Sequence, residues 1–291
     1  GQATKRIDFV VTLKTPPTTV VKSNVIYNLD GVNVAITSDH YPLYCDFKKP
    51  TGLEEYPKAE GDLRIGNYFL TYCKGTDGVI DYDRTGRIIA KMNADIVCLQ
   101  GLDKETERSE GIDQLNVLAQ KANMHDYFAK AIDYKGGEFG VGILTKEEPV
   151  SVDRYQMAGK SEMRAAMVVE YEKFVVASTN FDTDMAKRIE ALQTLETKLS
   201  AYNKPAFLLG YFNEGDLESE FFQMVKSNWN LLSADKSTEV SGKKRRLDFI
   251  VSLKSHNVNV TQADVIESLS GVDVTVASTH YPLFCDFSGL K

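Results

Sequence analysis

Cysteine is scarce in this sequence, with four in 291 residues at positions 45, 73, 98 and 285, and none are spaced as CxxC. That spacing excludes a zinc ribbon and a dithiol redox motif. Nowhere does an apolar run approach the roughly 20 residues that a membrane-spanning helix requires. No charged start followed by an apolar stretch opens the chain, which therefore reads as a soluble protein, cytosolic or mature exported. An excess of positive charge is also missing. The formal net charge is −7, so the total gives no support for a nucleic-acid partner. The only dense basic run, Lys243–Arg246, reads as a solvated turn before a strand. What remains is an ordinary globular composition, long enough for one large α/β domain or two small ones.

One stretch is present twice. KRIDFVVTLK (Lys5–Lys14) and SDHYPLYCDF (Ser38–Phe47) match RRLDFIVSLK (Arg245–Lys254) and STHYPLFCDF (Ser278–Phe287) at a constant offset. Roughly half of the aligned positions are identical. Ile7, Phe9 and Val11 alternate with polar neighbours, as do Val32, Val34 and Ile36, and Tyr41–Phe47 follows a turn. That pattern predicts three strands, the first broken by Pro16-Pro17. Cys45 and Cys285 occupy one position in the two copies and read as small buried residues. A piece of this size cannot bury a core of its own and must pack on something else. Residues 48–61 (KKPTGLEEYPKAEG) read as a linker. The expected organisation is a partial repeat over 1–47, a linker over 48–61 and a domain over 62–291.

Within that domain, strands are predicted over Leu63–Cys73, Ala94–Gln100, Gly140–Thr145 and Pro205–Gly210, with a hairpin over Ala165–Glu170 and Lys173–Thr179. Helices are predicted over Asp83–Asn93, Gly111–Met124, Met185–Ser200 and Leu217–Lys226, the third on the stripe Ile189, Leu192, Leu195 and Leu199. The mixture predicts two sheets covered by helices.

Several apolar strands end in polar clusters: ADIVCLQ-Gly101-LD, ASTNFD, LLG-Tyr211-FNE, RRLDFI and STHYPL. This set, in this order, resembles the endonuclease/exonuclease/phosphatase superfamily with its deoxyribonuclease-like fold. The resemblance covers Asp62–Phe287 and repeats over Lys5–Phe47. It implies a two-sheet α/β sandwich and metal-dependent hydrolysis of phosphoric esters with Mg²⁺ or Mn²⁺. In that chemistry a glutamate holds the cation, and an Asp-x-Asn pair orients water and phosphate. A histidine contacts the phosphate and is itself held by a buried aspartate.

Against that pattern the chain is depleted. Phe69 stands for the first-strand asparagine, Gly101 for the metal-binding glutamate and Asn180 for the middle histidine. Tyr211 stands for the aspartate of GDFN, and Thr279 for the aspartate of SDH. The surviving positions are Asn213, Asp248 and His280, with Glu138 in GGEFG as a less diagnostic match. The N-terminal copy keeps Asp8, Asp39 and His40. Nearby carboxylates, Asp103, Glu105, Asp182, Asp184, Glu214 and Asp216, read as solvated loop or helix-start groups. The leading expectation is a catalytically impaired or inactive homologue with a binding or assembly role and no cofactor. One alternative is an active Mg-dependent phosphohydrolase with a rebuilt site. Another is self-association through the duplicated strands, in which the N-terminal copy fills the slot beside Leu63–Cys73 and the displaced C-terminal copy fills that of another molecule; the preferred placement keeps the C-terminal copy in the sheet and packs the N-terminal copy at a sheet edge. The sequence names no other partner.

Overall fold

The computed structural model describes residues 10, 19–30, 34, 40–48 and 56–291. The chain divides into two compact units, Gly1–Glu55 and Tyr56–Lys291. The first contains a hairpin of β1 (Thr19–Val25) and β2 (Leu43–Lys48), a two-stranded sheet among the described residues. Asp8, Asp39 and the strand expected over Ile7–Val11 lie outside the described residues, apart from exposed Val10. Val34, expected in a strand, is helical. Its counterpart Val274 begins a one-turn helix, Val274–Ala277, where Asp273 caps the backbone N–H of Thr275. Three alternating apolar residues are too few to separate a strand from one helical turn. Cys45, expected buried, is partly exposed, whereas Cys285 is fully buried.

The second unit is built on two six-stranded sheets. Its first strands are β3 (Leu63–Phe69), β4 (Ile96–Lys104), β5 (His125–Tyr134) and β6 (Gly137–Thr145). Next come β7 (Ser151–Met157), β8 (Arg164–Glu170), β9 (Val175–Asn180) and β10 (Ala206–Tyr211). The last are β11 (Trp229–Leu231), β12 (Asp248–Leu253), β13 (Asn259–Val265) and β14 (Leu283–Ser288). One sheet has the order β13-β14-β3-β4-β6-β5, the other β11-β12-β10-β9-β8-β7. β14 lies antiparallel to β3, with Leu283 opposite Asn67 and Phe287 opposite Leu63, so the C-terminal copy of the repeat occupies the sheet.

Alternation sorts the side chains into three apolar layers. Ile65, Cys98, Met167, Phe207 and Phe287 meet between the sheets. Helices α1 (Tyr82–Lys91) and α2 (Gln114–Ala122) cover the outside of one sheet with Ile88, Ile89 and Leu118. On the other, α3 (Met185–Leu199) and α4 (Glu220–Asn228) press Leu192, Leu195 and Phe222 against Phe249 and the only tryptophan, Trp229. Asp81, Asp113, Asp184 and Ser219 cap these four helices, each accepting from an N–H of the first turn. The two sheets place the ends of β3, β4, β9 and β10 and the start of β12 along one rim. β3 and β4 run parallel, as do β9 and β10, while Tyr211 at the end of β10 pairs with Asp248 at the start of β12.

Candidate active site

The rim gathers most of the residues singled out from the sequence. Phe69 ends β3 and Gly101 sits in β4, while Asn180 and Tyr211 end β9 and β10. Asp248 opens β12, and His280 precedes β14. Glu138 is not among them. It lies in β6 opposite Lys104 and Asp133, with its carboxylate 3.4 Å from Lys130.

Asp248 is fully buried, and its Oδ2 lies 2.6 Å from Nδ1 of His280. The backbone N–H of Asp248 donates to Thr238 Oγ1, and the other carboxylate oxygen, Oδ1, is buried without a partner. The pair therefore retains the geometry in which a carboxylate fixes a histidine ring. The other face of that ring meets aromatic carbon. Phe69, Tyr211 and His280 form a closed triangle, each pair of ring centroids 4.7 Å apart. Such separations are those of favourable aromatic contacts. Burial, and then the charge of Asp248, push the Tyr211 hydroxyl above its ordinary range.

Gly101 is part of the same packing. Its φ is +73°, where glycine is at ease, and a Cβ built there would stand 3.3 Å from the Phe69 ring. The β4 pairing with β6 slips between Gln100 and Leu102, so Gly101 sits in a bulge. Gly210 shows a comparable close approach. A Cβ there would collide with the carbonyl oxygen of Thr179, so only a glycine lets β9 and β10 carry Asn180 and Tyr211 side by side.

The remaining positions are tied to backbone or to each other. Asn213, with φ +54°, donates from Nδ2 to the carbonyl of Phe181 at 2.6 Å and lies 3.4 Å from Oδ1 of Asn180. Thr279 meets Thr71 through their hydroxyl oxygens at 2.9 Å, and Ser278 donates to the carbonyl of Phe69 at 2.6 Å. Asp103 and Asp182, expected solvated, are 1% and 2% exposed. Burial is affordable because each is paired. Arg108 grips Asp103 through two nitrogens at 2.6 and 2.8 Å, and Arg164 reaches Asp182 at 3.0 Å. Burial pushes the Asp182 carboxyl up, but the Asp184 N–H and Arg164 outweigh it and hold it below its usual range. Glu214 is spoken for by Arg188 at 3.0 Å, and Asp184 is the helix cap expected.

Sequence reasoning missed a second feature of the rim. Thr71, Tyr72 and Cys73 all adopt positive φ, between 48° and 59°. Three consecutive non-glycine residues in that region are costly, and the surroundings hold them there. Gln114 donates to the carbonyl of Tyr72 at 2.9 Å while accepting from the N–H of Asp103. Arg108 lies over the Tyr72 ring at 3.9 Å. No local sequence signal marks this turn, since none of its three residues is a glycine or asparagine.

The residues present do not fit a divalent cation. Glycine has no ligand to offer, and aromatic rings stand where oxygen donors would converge. No group of three His, Cys, Asp or Glu side chains able to hold a metal is found among the described residues.

No family model and no curated protein matches the sequence. Solved structures do match. An endonuclease/exonuclease/phosphatase from Beutenbergia cavernae superposes with a TM-score of 0.62 at 17% identity, over 79% of this chain and 73% of that one. The mannosyl-6-phosphatase Bt3783 of Bacteroides thetaiotaomicron gives 0.61 at 15% identity, over 77% and 99%. The catalytic domain of human Nocturnin gives 0.59 at 18% identity, over 78% and 93%. The chain has the endonuclease/exonuclease/phosphatase fold. These neighbours bear out the α/β sandwich of that fold, and no helix among the described residues is long and apolar enough to cross a membrane.

Proposed function

We propose that the endonuclease/exonuclease/phosphatase-like unit is a hydrolase fold without hydrolytic function, acting as a binding or assembly module. The observation that carries this reading is the closed triangle of Phe69, Tyr211 and His280 beside Gly101. In the phosphoester chemistry of this fold, a cation clamps the phosphate and offsets developing charge, an effect worth several kcal/mol, with each ~1.4 kcal/mol a factor of ten in rate. Here the position of the metal-holding carboxylate is a glycine, and its neighbours are rings. The Asp248–His280 pair keeps its geometry, but it has lost the groups it would act with. It serves instead as a structural polar pair that anchors the approach to β14.

Titration calorimetry with Mg²⁺ and Mn²⁺, run beside assays with p-nitrophenyl phosphate and bis-p-nitrophenyl phosphate, tests this reading. The expected result is no saturable heat and no turnover above buffer. Metal-dependent turnover that disappears in His280→Ala would overturn it.

A further inference from the structure

The hairpin of the first unit repeats the closing hairpin of the second in its hydrogen bonding. β1 and β2 pair Thr19 with Lys48 and Val25 with Leu43, with a register shift between Val20 and Lys22. β13 and β14 pair Asn259 with Ser288 and Val265 with Leu283, with the shift between Val260 and Gln262. Each pairing, including the shift, recurs 240 positions later. The same holds beyond the strands: Ile26 N donates to Pro42 O at 2.7 Å, as Ile266 N does to Pro282 O at 2.8 Å.

Identity between the copies follows burial. Thirteen residues between Val265 and Phe287 are buried, and eleven have the same residue in the N-terminal copy. The two exceptions are Ala277, matched by Thr37, and Phe284, matched by Tyr44. Seven residues in the same span are exposed, and only Gly271 is matched by the same residue. The residues retained are those that the C-terminal hairpin uses to grip its domain. Leu283, Cys285 and Phe287 enter the core between the sheets, and Asp286 holds the buried guanidinium of Arg64 at 2.6 and 2.7 Å. Their counterparts are Leu43, Cys45, Phe47 and Asp46.

In the first unit Leu29, Leu43 and Cys45 are not covered in the same way, although Val34 is buried as Val274 is. Leu29 is 55% exposed where Leu269 is 8% exposed, and Leu43 and Cys45 are partly exposed where their counterparts are fully buried. Among the described residues, no third strand joins β1 and β2. A lone two-stranded hairpin is marginal in water and needs a third strand or a packed face.

We propose that Thr19–Lys48 is a second closing hairpin, which docks on the β3 edge of a domain of this fold whose own closing hairpin is absent or displaced. The β14–β3 interface inside this chain is the template: Leu43 would lie opposite an Asn67-type position and Phe47 opposite a Leu63-type one. An intact second copy is not the partner. Exchange between intact copies leaves the number of filled edges unchanged and so buries no additional surface.

The full-length chain tests this. Leu283→Asp with Phe287→Asp places two carboxylates in the core and expels the C-terminal hairpin, which opens a β3 edge. The N-terminal hairpin is then expected to take that edge, so this variant keeps a cooperative melt, whether monomeric or exchanged between molecules. Adding Leu43→Asp is expected to abolish that melt, while Leu43→Asp alone leaves the melting of the unsubstituted chain unchanged. Loss of cooperative melting in the Leu283→Asp/Phe287→Asp variant overturns the proposal. So does a melt that survives the further addition of Leu43→Asp, because the hairpin would then contribute nothing to the edge.

Discussion

At the residue scale, Phe69 and Gly101 divide one space between them. Glycine leaves the room and the ring takes it. Gly101→Glu alone adds a side chain at positive φ against that ring and is expected to cost about 1–3 kcal/mol. In a Phe69→Asn background the ring is gone and the cost falls, with a coupling of at least about 0.5 kcal/mol, the scale of residues in contact. Urea midpoints of the two single variants and the double variant measure it. Equal costs in both backgrounds would mean that the ring is not what excludes the carboxylate. Acid stability also has a residue-scale source. The hydrogen bond from Arg245 leads the causes that hold the Glu239 carboxyl down from 4.5 to about 2, against the upward push of burial. A depressed carboxylate contributes stability that is present above pH 4.5 and lost as pH falls toward about 2. Glu239→Gln is therefore expected to reduce the loss of stability between pH 5 and pH 3, by under about 1 kcal/mol because Arg245 is solvent-exposed. Chemical melts at the two pH values check the sign.

At the element scale, the left-handed turn Thr71–Cys73 hangs on Gln114 from α2. Gln114→Ala leaves the N–H of Asp103 and the carbonyl of Tyr72 unpaired and is expected to cost about 1–3 kcal/mol. Hydrogen exchange at residues 70–74 should accelerate with it, and unchanged exchange would show that another contact holds the turn. The turn also shows where sequence reading stops. The long helices were legible because their apolar stripes and aspartate caps are local signals, and the buried strands Ile96–Lys104 and Ala206–Tyr211 because they are short apolar runs between polar ends. His125–Tyr134 and Ser151–Met157 were not, since edge positions leave much of each strand facing solvent and dilute the alternation. The substituted rim residues were legible one by one from the motif pattern. Their closure into a ring triangle was not, because it depends on two strands and a loop far apart in the chain. Asp103 and Asp182 misled for a related reason: their arginines come from other turns and strands, and composition alone marks such carboxylates as solvated.

At the scale of the whole molecule, the second unit is fastened where its first and last strands meet. Arg64 in β3 is fully buried and bonds through two nitrogens to Asp286 in β14, while also donating to the carbonyls of Tyr56, Pro57 and Met92. Asp286→Asn leaves a buried guanidinium without its counter-charge and is expected to cost about 3–5 kcal/mol, against little for a surface pair such as Lys226–Glu218. Denaturant melts compare the two. Removing Gly1–Glu55 touches none of these contacts, so the remaining chain is expected to melt cooperatively as a monomer. Aggregation of that truncated chain would mean that the first unit supports the second.

The single tryptophan turns this division into something an instrument can read. Trp229 is 1% exposed, in the layer of α3 and α4, and its Nε1 lies 3.3 Å from Glu196 Oε2. Its emission is set inside the Tyr56–Lys291 unit, and Gly1–Glu55 contains no indole to add to it. Intrinsic tryptophan fluorescence therefore follows the unfolding of the second unit against a dark first unit. The first unit has only tyrosines, Tyr27, Tyr41 and Tyr44, and shares that fluorophore with the second unit, so its own unfolding shows as the part of the tyrosine signal that the tryptophan signal does not follow.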